Sequence, residues 1–479
     1  MNVVFAVSEL EGLIKTGGLA DVARALPLAL QDLGQDARVA LPYYQVVAEQ
    51  LPSAAANHSF NFSLHSHTEY KITVHEFNVN DITVYCFDVH GMFNRAGVYG
   101  DTYHPYEDNG ERFSVFSLAI LNFFQYFAEQ INFKPEIFHC NDWHTSVLPA
   151  LIKIDSYWRD SHVKTILSIH NGAYQGIYAK QQLPTLVQRF PSDMFHNDSD
   201  HVNFIELGIN YSDKIIAVSP NYAQELLTPL GSHHLFDVFN ANRDKVTGIL
   251  NGCDYEDWSS SNDPYLIKNY TVDSIADKVE NKLWLQKECG FTPSKDTPLI
   301  SMVCRLTDQK GLNFLLPIIK QLMLHKVHIA IAGTGDPVYV DQLCKLAKQY
   351  TDKLHFEHGY SDKIAHTYIA GADFFLVPSL FEPCGLTQMY SLAYGTLPIV
   401  REVGGLKDTV SDLYDINATG VVFVEPNPEA LLAAIRKGLL TFHEYPEQFV
   451  DIQVRAMNSK FLWLESAQKY LEQYEQLFA

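Results

Sequence analysis

The chain has 479 residues, of which 47% are hydrophobic and 19% charged, a balance typical of a globular protein with more than one core. Its formal net charge of −21, without a basic block, argues against nucleic acid or an anionic membrane as a partner. No apolar run is long enough for a membrane span, and the first residues lack a signal-peptide pattern. The seven scattered cysteines, with no C-x-x-C pair, indicate reduced thiols and hence a cytoplasmic location.

Strand and helix patterns alternate along the first half of the chain, which is typical of a parallel sheet covered on both faces. A helix near residues 20–32 is expected after the first strand, with Pro27 kinking it or marking a late start. An alternating insertion around NVND predicts a hairpin, and a long aromatic-rich helix follows it. The predicted strands are NVVFAVSE, DARVALP, TEYKITVHEF, DITVYCFDV, PEIFHC, VKTILSIH and DKIIAVSP.

A second alternating stretch is predicted to begin near VTGIL, residues 246–250, after the polar linker DVFNANRDK. The fold class predicted is α/β, with two Rossmann-like domains and a cleft between them. The first domain is expected at residues 1–243 and the second from residue 244 to 458. The strands predicted in the second are PLISMVC, KVHIAIAG, KLHFEHG, DFFLVPS, LPIV and GVVFV.

Ligands of open α/β sheets bind beyond the carboxyl ends of the strands, so the loops there are the candidate site. LIKTGGLADVARALP, residues 13–27, follows the first strand. Gly17 and Gly18 allow close backbone approach, and the N–H groups of the next helix, reinforced by Lys15, would favour an anion. A tight turn with a solvated lysine explains the same residues equally well.

Two further loops of the first half, HCNDWH and HNGAYQG, place histidines at strand ends. Such a histidine can donate to sugar hydroxyls or polarise a leaving group, although a structural histidine is the commoner case. Asp142 in the first of these loops can equally be the N-cap of the helix that it precedes.

In the second half, CRLTDQKG places Arg305 and Lys310 where they can clamp a diphosphate, although surface charge explains most such residues. FEPCGLTQ combines a turn at Gly385 with a helix start at Leu386 and Thr387 that favours an anion. Glu382 lies too close to that anion, so a sugar hydroxyl is its expected partner. AGTGDP is a weaker phosphate signal, and VREVGGLKDT contains another Gly-Gly helix start.

NDSD, residues 197–200, contains an Asp-x-Asp pair of the kind that holds a divalent cation, with His196 and His201 beside it. It precedes an apolar-periodic stretch and follows no predicted strand, which favours ordinary helix caps. The cations of the other loops make a divalent ion redundant. We therefore expect no metal and no other cofactor.

Together these motifs resemble the bacterial glycogen synthase and plant starch synthase family, from Val3 to about Leu440. The resemblance implies a GT-B fold whose C-terminal helix, at residues 459–479, returns to the N-terminal domain. It also implies transfer of glucose from ADP-glucose to the non-reducing end of an α-1,4-glucan, which is glycogen or a maltooligosaccharide. The transfer would retain the anomeric configuration and use no metal ion. The motifs are KTGGLADV, HCNDWH, HNGAYQG, NGCDYEDW, CRLTDQKGL, AGTGDP, FEPCGLTQMYSLAYGTLPIV and GGLKDTV.

The resemblance also implies roles for single residues. Related retaining transferases carry a second glutamate eight positions after the one that matches Glu382. This chain has Tyr390 at that position, a replacement that the resemblance implies for glycogen synthases as well. The implied catalytic residues are His170 under the reacting sugar, Arg305 and Lys310 on the diphosphate, and Glu382 on the donor glucose. The implied donor-binding residues are Lys15, Gly17, Gly18, Tyr360 on the adenine, Gly385, Leu386 and Thr387. The residues implied around the sugar and acceptor are Asp21, Asp142, Asn171 and Asn251.

Two alternatives remain open at this point. One is another GT-B enzyme, of the sucrose or trehalose-phosphate type, a phosphorylase, or one that uses UDP-glucose, since an aromatic ring stacks on adenine and uracil alike. The other is a catalytically silent glucan-binding protein, although the loss of Lys15, Arg305, Lys310 or Glu382 that would indicate it is not found.

Overall fold

A computed structural model describes residues 1–51, 54–64, 68–101, 104–195 and 200–479. The chain divides into two compact units, Met1–Gly252 with Trp463–Ala479, and Cys253–Leu462. In the described part of the chain, no helix combines the length and apolar character that crossing a membrane would require.

The first unit is built on a mixed sheet with the order β11-β10-β7-β6-β1-β2-β5-β4-β3. Seven strands from β11 to β5 run parallel. β4 pairs in antiparallel fashion with β5 across NVND, which confirms the predicted hairpin, and β3 pairs antiparallel with β4 at the edge. The strands of this sheet are β1 Asn2–Ala6, β2 Asp36–Pro42, β3 Ala56–Leu64, β4 Thr68–Val79, β5 Ile82–Val89, β6 Ile137–Asn141, β7 Lys164–Ile169, β10 Lys214–Ala217 and β11 Val246–Gly248. Two short strands, β8 Ile177–Ala179 and β9 His201–Asn203, pair with each other in a separate antiparallel sheet.

Helices cover this sheet, as the alternation predicts. The first runs unbroken from Gly18 to Asp32 with Pro27 buried inside it, so the late start is wrong. The aromatic-rich helix begins at Asn109 and is buried along most of its length. The helices are α1 Gly18–Asp32, α2 Gln45–Gln50, α3 Asn109–Phe127, α4 Asp142–Thr145, α5 Leu148–Ile154, α6 Ser156–Arg159, α7 Pro184–Arg189, α8 Phe204–Tyr211, α9 Pro220–Leu226 and α10 Phe236–Ala241.

The strand β11 corrects one prediction. VTGIL was expected to open the second domain, but Val246–Gly248 pairs in parallel with β10 at the edge of the first sheet. The pairing satisfies backbone groups that would otherwise lie unpaired at that edge, and so keeps residues 244–252 with the first unit.

The second unit has six parallel strands in the order β14-β13-β12-β15-β16-β17. All five residues of β12 are buried, as expected of a central strand covered on both faces. The strand order reverses between β12 and β15, and ligands of such sheets bind at this reversal. The strands are β12 Leu299–Val303, β13 His328–Gly333, β14 Leu354–His358, β15 Phe374–Val377, β16 Leu397–Arg401 and β17 Val421–Phe423.

Helices lie between most of these strands, as the sequence predicts. The last helix of the chain belongs to the first unit, where it packs against α1. The helices of the second unit are α11 Lys278–Glu288, α12 Leu312–Leu315, α13 Ile319–Leu322, α14 Pro337–Gln349, α15 Asp362–Gly371, α16 Thr387–Ala393, α17 Gly404–Thr409, α18 Pro428–Glu444 and α19 Pro446–Asn458, and the chain ends with α20 Trp463–Gln476.

Candidate active site

Two predicted site residues meet at the strand-order reversal of the second unit. Lys310 lies in the loop after β12, and Glu382 lies in the loop after β15. The Lys310 ammonium donates to Glu382 Oε2 at 2.6 Å, and the Ser379 hydroxyl donates to the same oxygen at 2.8 Å. Glu382 is 7% exposed, so the pair is largely shielded from water. The loop motifs therefore form one charged cluster.

The backbones of these two loops are in direct contact. Gly311 has a φ of +76°, and a Cβ atom there would lie 2.1 Å from the Pro378 carbonyl oxygen. The Leu380 N–H donates to the Gln309 carbonyl at 2.8 Å, and the Gln309 side chain donates to the Phe381 carbonyl at 3.3 Å. Only glycine fits position 311 at this distance, which explains the final residue of CRLTDQKG.

Arg305 lies in the same loop as Lys310 but differs from it in environment. Its side chain is exposed. Among the described residues it has no ion-pair partner, whereas Lys310 is paired with Glu382. Arg305 therefore contributes a cation whose charge no neighbouring carboxylate neutralises.

The helix start predicted after FEPCG is present. Gly385 has a φ of +69°, and α16 begins two residues later at Thr387, with Leu386 as an N-cap that makes no side-chain capping bond. The Gln388 side chain donates backwards to the Cys384 and Gly385 carbonyls, at 3.1 and 2.8 Å, instead of capping the helix. The first N–H groups of α16 thus lack a side-chain cap, the condition under which a helix start accepts an anion.

Two other glycine-rich segments support these loops. A Cβ at Gly404, where φ is +42°, would lie 1.9 Å from the Glu382 carbonyl oxygen, and the Gly405 N–H donates to that oxygen at 3.1 Å. In AGTGDP, a Cβ at Gly333 would lie 2.1 Å from the Cys304 carbonyl oxygen. The glycines of VREVGGLKDT and AGTGDP therefore permit close backbone packing against the two loops that carry Glu382 and Lys310.

Tyr360 follows β14 and is 61% exposed. Ser361, the next residue, caps α15 by accepting from the Ile364 N–H at 3.2 Å. The cap fixes the backbone beside Tyr360 while much of its ring surface stays accessible, which suits a ring that stacks on a base.

In the first unit, Glu9 is a further residue of the candidate site that the sequence motifs do not indicate. This buried carboxylate accepts from the Thr16 N–H at 2.6 Å and the Gly17 N–H at 3.0 Å, and from the Tyr99 hydroxyl at 2.7 Å. The Gly17 N–H, expected to face an external anion, therefore has an internal partner. Glu9 lies just beyond the carboxyl end of β1, where ligands of such sheets bind, so its position in the sequence could have marked it as a candidate site residue.

Lys15 and Asp21 are brought together. The Lys15 ammonium lies 2.6 Å from Asp21 Oδ1 and 2.8 Å from Glu11 Oε1, and Arg24 lies 3.7 Å from the second oxygen of Glu11. Burial opposes the charge on Lys15, but the two carboxylates outweigh it and raise the pKa of the ammonium above its ordinary value. Burial raises the pKa of Asp21 to about 7, against the opposing charge of Lys15. Lys15 thus stays charged at neutral pH.

Asp142, His170 and Asn171 form a second cluster at the ends of β6 and β7. Asp142 Oδ1 accepts from the backbone N–H groups of His170 and Asn171, at 2.7 and 3.3 Å. It does not cap α4, because Asp142 is itself the first residue of that helix and Asn141 is the N-cap. The helix-cap alternative for Asp142 is therefore wrong.

Burial controls the protonation of this cluster. It raises the pKa of Asp142 to about 7, because the two backbone donors only partly offset the loss of water. Burial lowers the pKa of His170 to about 3, so its ring is neutral at physiological pH. His170 Nε2 lies 2.9 Å from Asn141 Oδ1, which fixes the ring orientation.

Asn251 follows β11 and is 4% exposed. Among the described residues its Oδ1 atom has no hydrogen-bond partner. A buried acceptor without a donor is costly, so this atom is available to a ligand hydroxyl.

The NDSD segment is only partly described. His196, Asn197, Asp198 and Ser199 lie outside the described residues. The cap of the following helix, α8, is Asn203, which accepts from the Glu206 N–H at 3.2 Å, because the short strand β9 separates NDSD from the helix. In the described ranges, no group of three or more His, Cys, Asp or Glu side chains is arranged to hold a metal ion.

Two family models match the chain, the starch synthase catalytic domain over residues 2–241 and glycosyl transferases group 1 over residues 290–451. A glycogen synthase of Aeromonas salmonicida (strain A449) is 44% identical over 485 residues, which cover 100% of this chain and 99% of that protein. The chain belongs to the glycogen and starch synthase family.

Solved structures agree with this membership. The catalytic domain of starch synthase IV from Arabidopsis thaliana, bound to ADP and acarbose, matches with a TM-score of 0.87 and 27% identity over 99% of both chains. Sucrose-phosphate synthase from Thermosynechococcus elongatus, at 17% identity and a TM-score of 0.60 over 99% of this chain and 98% of that one, shares the fold alone. The predicted GT-B fold and retaining glycosyltransferase of the glycogen synthase type are confirmed.

Tyr390, eight positions after Glu382, has a packing role. Its ring stacks on Trp258 with centroids 3.9 Å apart and planes within 1°. His366 also stacks on Trp258, at 3.8 Å, and its Nδ1 atom lies 2.8 Å from Asp263. The stack ties Trp258, the last residue of NGCDYEDW, to α15 and α16.

Proposed function

We propose that this enzyme transfers glucose from ADP-glucose to the non-reducing end of an α-1,4-glucan, glycogen or a maltooligosaccharide, with retention of configuration. The observation that carries the proposal is the cluster of Lys310, Ser379 and Glu382 beside the uncapped start of α16. Among the described residues it offers a cation, a carboxylate and helix N–H groups without a side-chain cap, at the strand-order reversal of the second unit.

The diphosphate leaving group is the part of the donor that needs stabilisation. Breaking the bond between sugar and phosphate builds negative charge on the diphosphate and positive charge on the anomeric carbon. We assign Arg305, Lys310 and the N–H groups at Leu386 and Thr387 to the diphosphate. Preorganised donors and cations of this kind are usually the largest single catalytic contribution.

The glucose of the donor is assigned to Glu382 and His170. Glu382 keeps one carboxylate oxygen, Oε1, for a sugar hydroxyl, because both of its described donors bind Oε2. His170 is neutral because burial lowers its pKa to about 3. We propose that it places an uncharged ring beside the reacting sugar, where a fixed cation would oppose the positive charge that develops on the anomeric carbon.

The remaining residues of the first unit are assigned by the family motifs. Lys15, with Gly17 and Gly18, is proposed as a further donor-binding group, held charged by Asp21 and Glu11. Asp142 and Asn171 are assigned to the sugar and acceptor side together with Asn251, whose buried Oδ1 lacks a donor among the described residues. Asp21 is also assigned to the sugar and acceptor side, and we propose that it acts there through its ion pair with Lys15.

Adenine is the proposed base, with Tyr360 as its stacking partner. The proposal is supported by the ADP bound in the starch synthase IV structure and by the exposed ring of Tyr360. We also propose a cytoplasmic location, where the thiols of the seven cysteines would remain reduced.

Transfer of radiolabelled glucose to glycogen, measured with ADP-glucose and with UDP-glucose, tests this function. We expect label in the glucan with ADP-glucose at a rate well above that with UDP-glucose. A Tyr360→Ala variant should lose affinity for ADP, since stacking on a base is worth about 1–3 kcal/mol. Faster transfer from UDP-glucose would overturn the donor assignment, and absence of transfer from both would overturn the function.

A further inference from the structure

The two oxygens of the Glu382 carboxylate differ in their surroundings. Oε2 accepts from the Lys310 ammonium at 2.6 Å and from the Ser379 hydroxyl at 2.8 Å. Among the residues that the structure describes, Oε1 has no donor. An ionised carboxylate can accept about four hydrogen bonds, so one half of this group is saturated by protein and the other half is open.

Ser379 is placed rigidly for this contact. It lies two residues after β15 and is completely buried. Arg401, at the end of β16, donates from Nε to the Ser379 carbonyl at 2.9 Å and from its Nη2 atom to the Leu380 carbonyl. The backbone that carries the Ser379 side chain is therefore held in place beside Glu382.

We propose that Ser379 is a positioning residue for the donor glucose, acting through Glu382; this inference rests on the proposed contact between Glu382 and that glucose. Its hydroxyl fixes Oε2 and thereby aims Oε1 at the sugar. Lys310 donates to the same oxygen with one of its three N–H groups, and the other two remain for the diphosphate in the proposed function.

A Ser379→Ala variant separates this role from a purely structural one. The variant loses a hydrogen bond to a charged group, and the binding free energy of such a bond corresponds to about a tenfold change. We therefore expect kcat/KM for ADP-glucose to fall about tenfold. Affinity for ADP should stay within about twofold, because ADP lacks the glucose that Glu382 contacts. A collapsed loop would weaken ADP and ADP-glucose alike, and would lower the thermal midpoint.

Ser301 supplies the matched control. It is also completely buried in the second unit, but its hydroxyl donates to the Tyr368 carbonyl at 2.9 Å instead of to a carboxylate. Ser301→Ala removes the same atom and should leave kcat/KM for ADP-glucose unchanged. A Ser379→Cys variant has a side chain of similar shape but a weaker hydrogen-bond donor. Its kcat/KM for ADP-glucose should lie between those of wild type and Ser379→Ala.

The decisive measurement is a double-mutant cycle with Glu382→Gln, since residues that act as one unit are not additive. If Ser379 acts through Glu382, Ser379→Ala should cost less than about twofold in the Glu382→Gln background. An equal cost in both backgrounds, or a Ser379→Ala variant with wild-type kinetics, would overturn the inference and leave the Glu382 assignment standing. Wild-type transfer by Glu382→Gln alone would overturn that assignment and this inference with it.

Discussion

Buried carboxylates organise the backbone of the candidate site at the scale of single residues. Glu9 binds the N–H groups of the KTGG loop, and Asp142 binds those of His170 and Asn171. The role of Asp142 does not follow from the sequence, because it depends on which strand ends become neighbours, whereas Glu9 binds residues of its own loop. The sequence does predict that histidines, cations and glycine-rich turns gather at the strand ends.

Asp142 makes a pH-dependent contribution to stability. Burial raises its pKa to about 7, whereas an unfolded aspartate titrates near 3.9. The folded state therefore binds the proton more tightly, and stability falls as the pH rises from about 4 to 7. Asp142→Asn cannot ionise and still offers an oxygen to the His170 N–H. We expect it to raise the thermal midpoint near pH 8 and to have little effect near pH 4.

Thermal unfolding across this pH range measures the effect. Asp160→Asn, at a 73% exposed side chain, is the control and should follow wild type throughout. An Asp142→Asn midpoint that differs from wild type equally at all pH values would contradict the raised pKa of Asp142.

At the scale of elements, loops far apart in sequence interlock around Glu382. The loop after β12 contacts the loop after β15 through Gly311. The start of α17 also contacts the loop after β15, through Gly404 and Gly405. The sequence predicts glycine-rich turns at these positions. It does not predict that the glycines serve backbone packing in place of anion binding, because that depends on the carbonyl groups that approach them.

Gly404→Ala should damage the site more than an ordinary glycine substitution. Its Cβ would lie 1.9 Å from the Glu382 carbonyl oxygen, so the backbone that carries Glu382 must move. Gly290 is the matched control, since it also has a positive φ, +80°, but no atom within 4 Å of an added Cβ. We expect Gly290→Ala to cost about 1 kcal/mol with transfer unchanged.

Comparing thermal midpoints and transfer rates of the two variants checks this packing. Gly404→Ala should show the lower midpoint and a clearly reduced rate. Equal behaviour of the two variants would mean that α17 does not support the Glu382 loop.

At the scale of the whole molecule, both Rossmann-like units follow from alternating strand and helix patterns. Buried strands such as LISMV are almost entirely apolar, which allowed them to be predicted from the sequence. Membership of β11 in the first sheet was not predictable, because a three-residue strand carries almost no pattern of its own. The return of the last helix came from the family resemblance and not from periodicity.

That helix closes the first unit through a buried hydrogen bond. The Tyr474 hydroxyl lies 2.7 Å from His139 Nδ1, between residues 335 positions apart. Tyr474→Phe keeps the ring but leaves a buried histidine nitrogen unpaired, which costs about 1–3 kcal/mol. Tyr445→Phe, at a 56% exposed side chain, should be neutral. Denaturant unfolding checks the difference, and equal stability of the two variants would contradict this account of His139.

Glucosyl transfer should not require a divalent metal. Arg305 and Lys310 already supply positive charge to the diphosphate in our proposal, and a metal ion beside them would be repelled. We expect the full rate after exhaustive dialysis against EDTA. Loss of activity that magnesium or manganese restores would show that these cations have been assigned wrongly.

The central claim, that Arg305 and Lys310 stabilise the departing diphosphate, is tested most directly by the turnover of Arg305→Ala and Lys310→Ala with ADP-glucose and glycogen. Losing one such group typically costs about 10²–10³ in rate, so each variant should fall by that factor while its affinity for glycogen is unchanged. Lys345→Ala, at a lysine whose side chain is 74% exposed, is the control and should turn over like wild type. Wild-type turnover in Arg305→Ala or Lys310→Ala would contradict the claim.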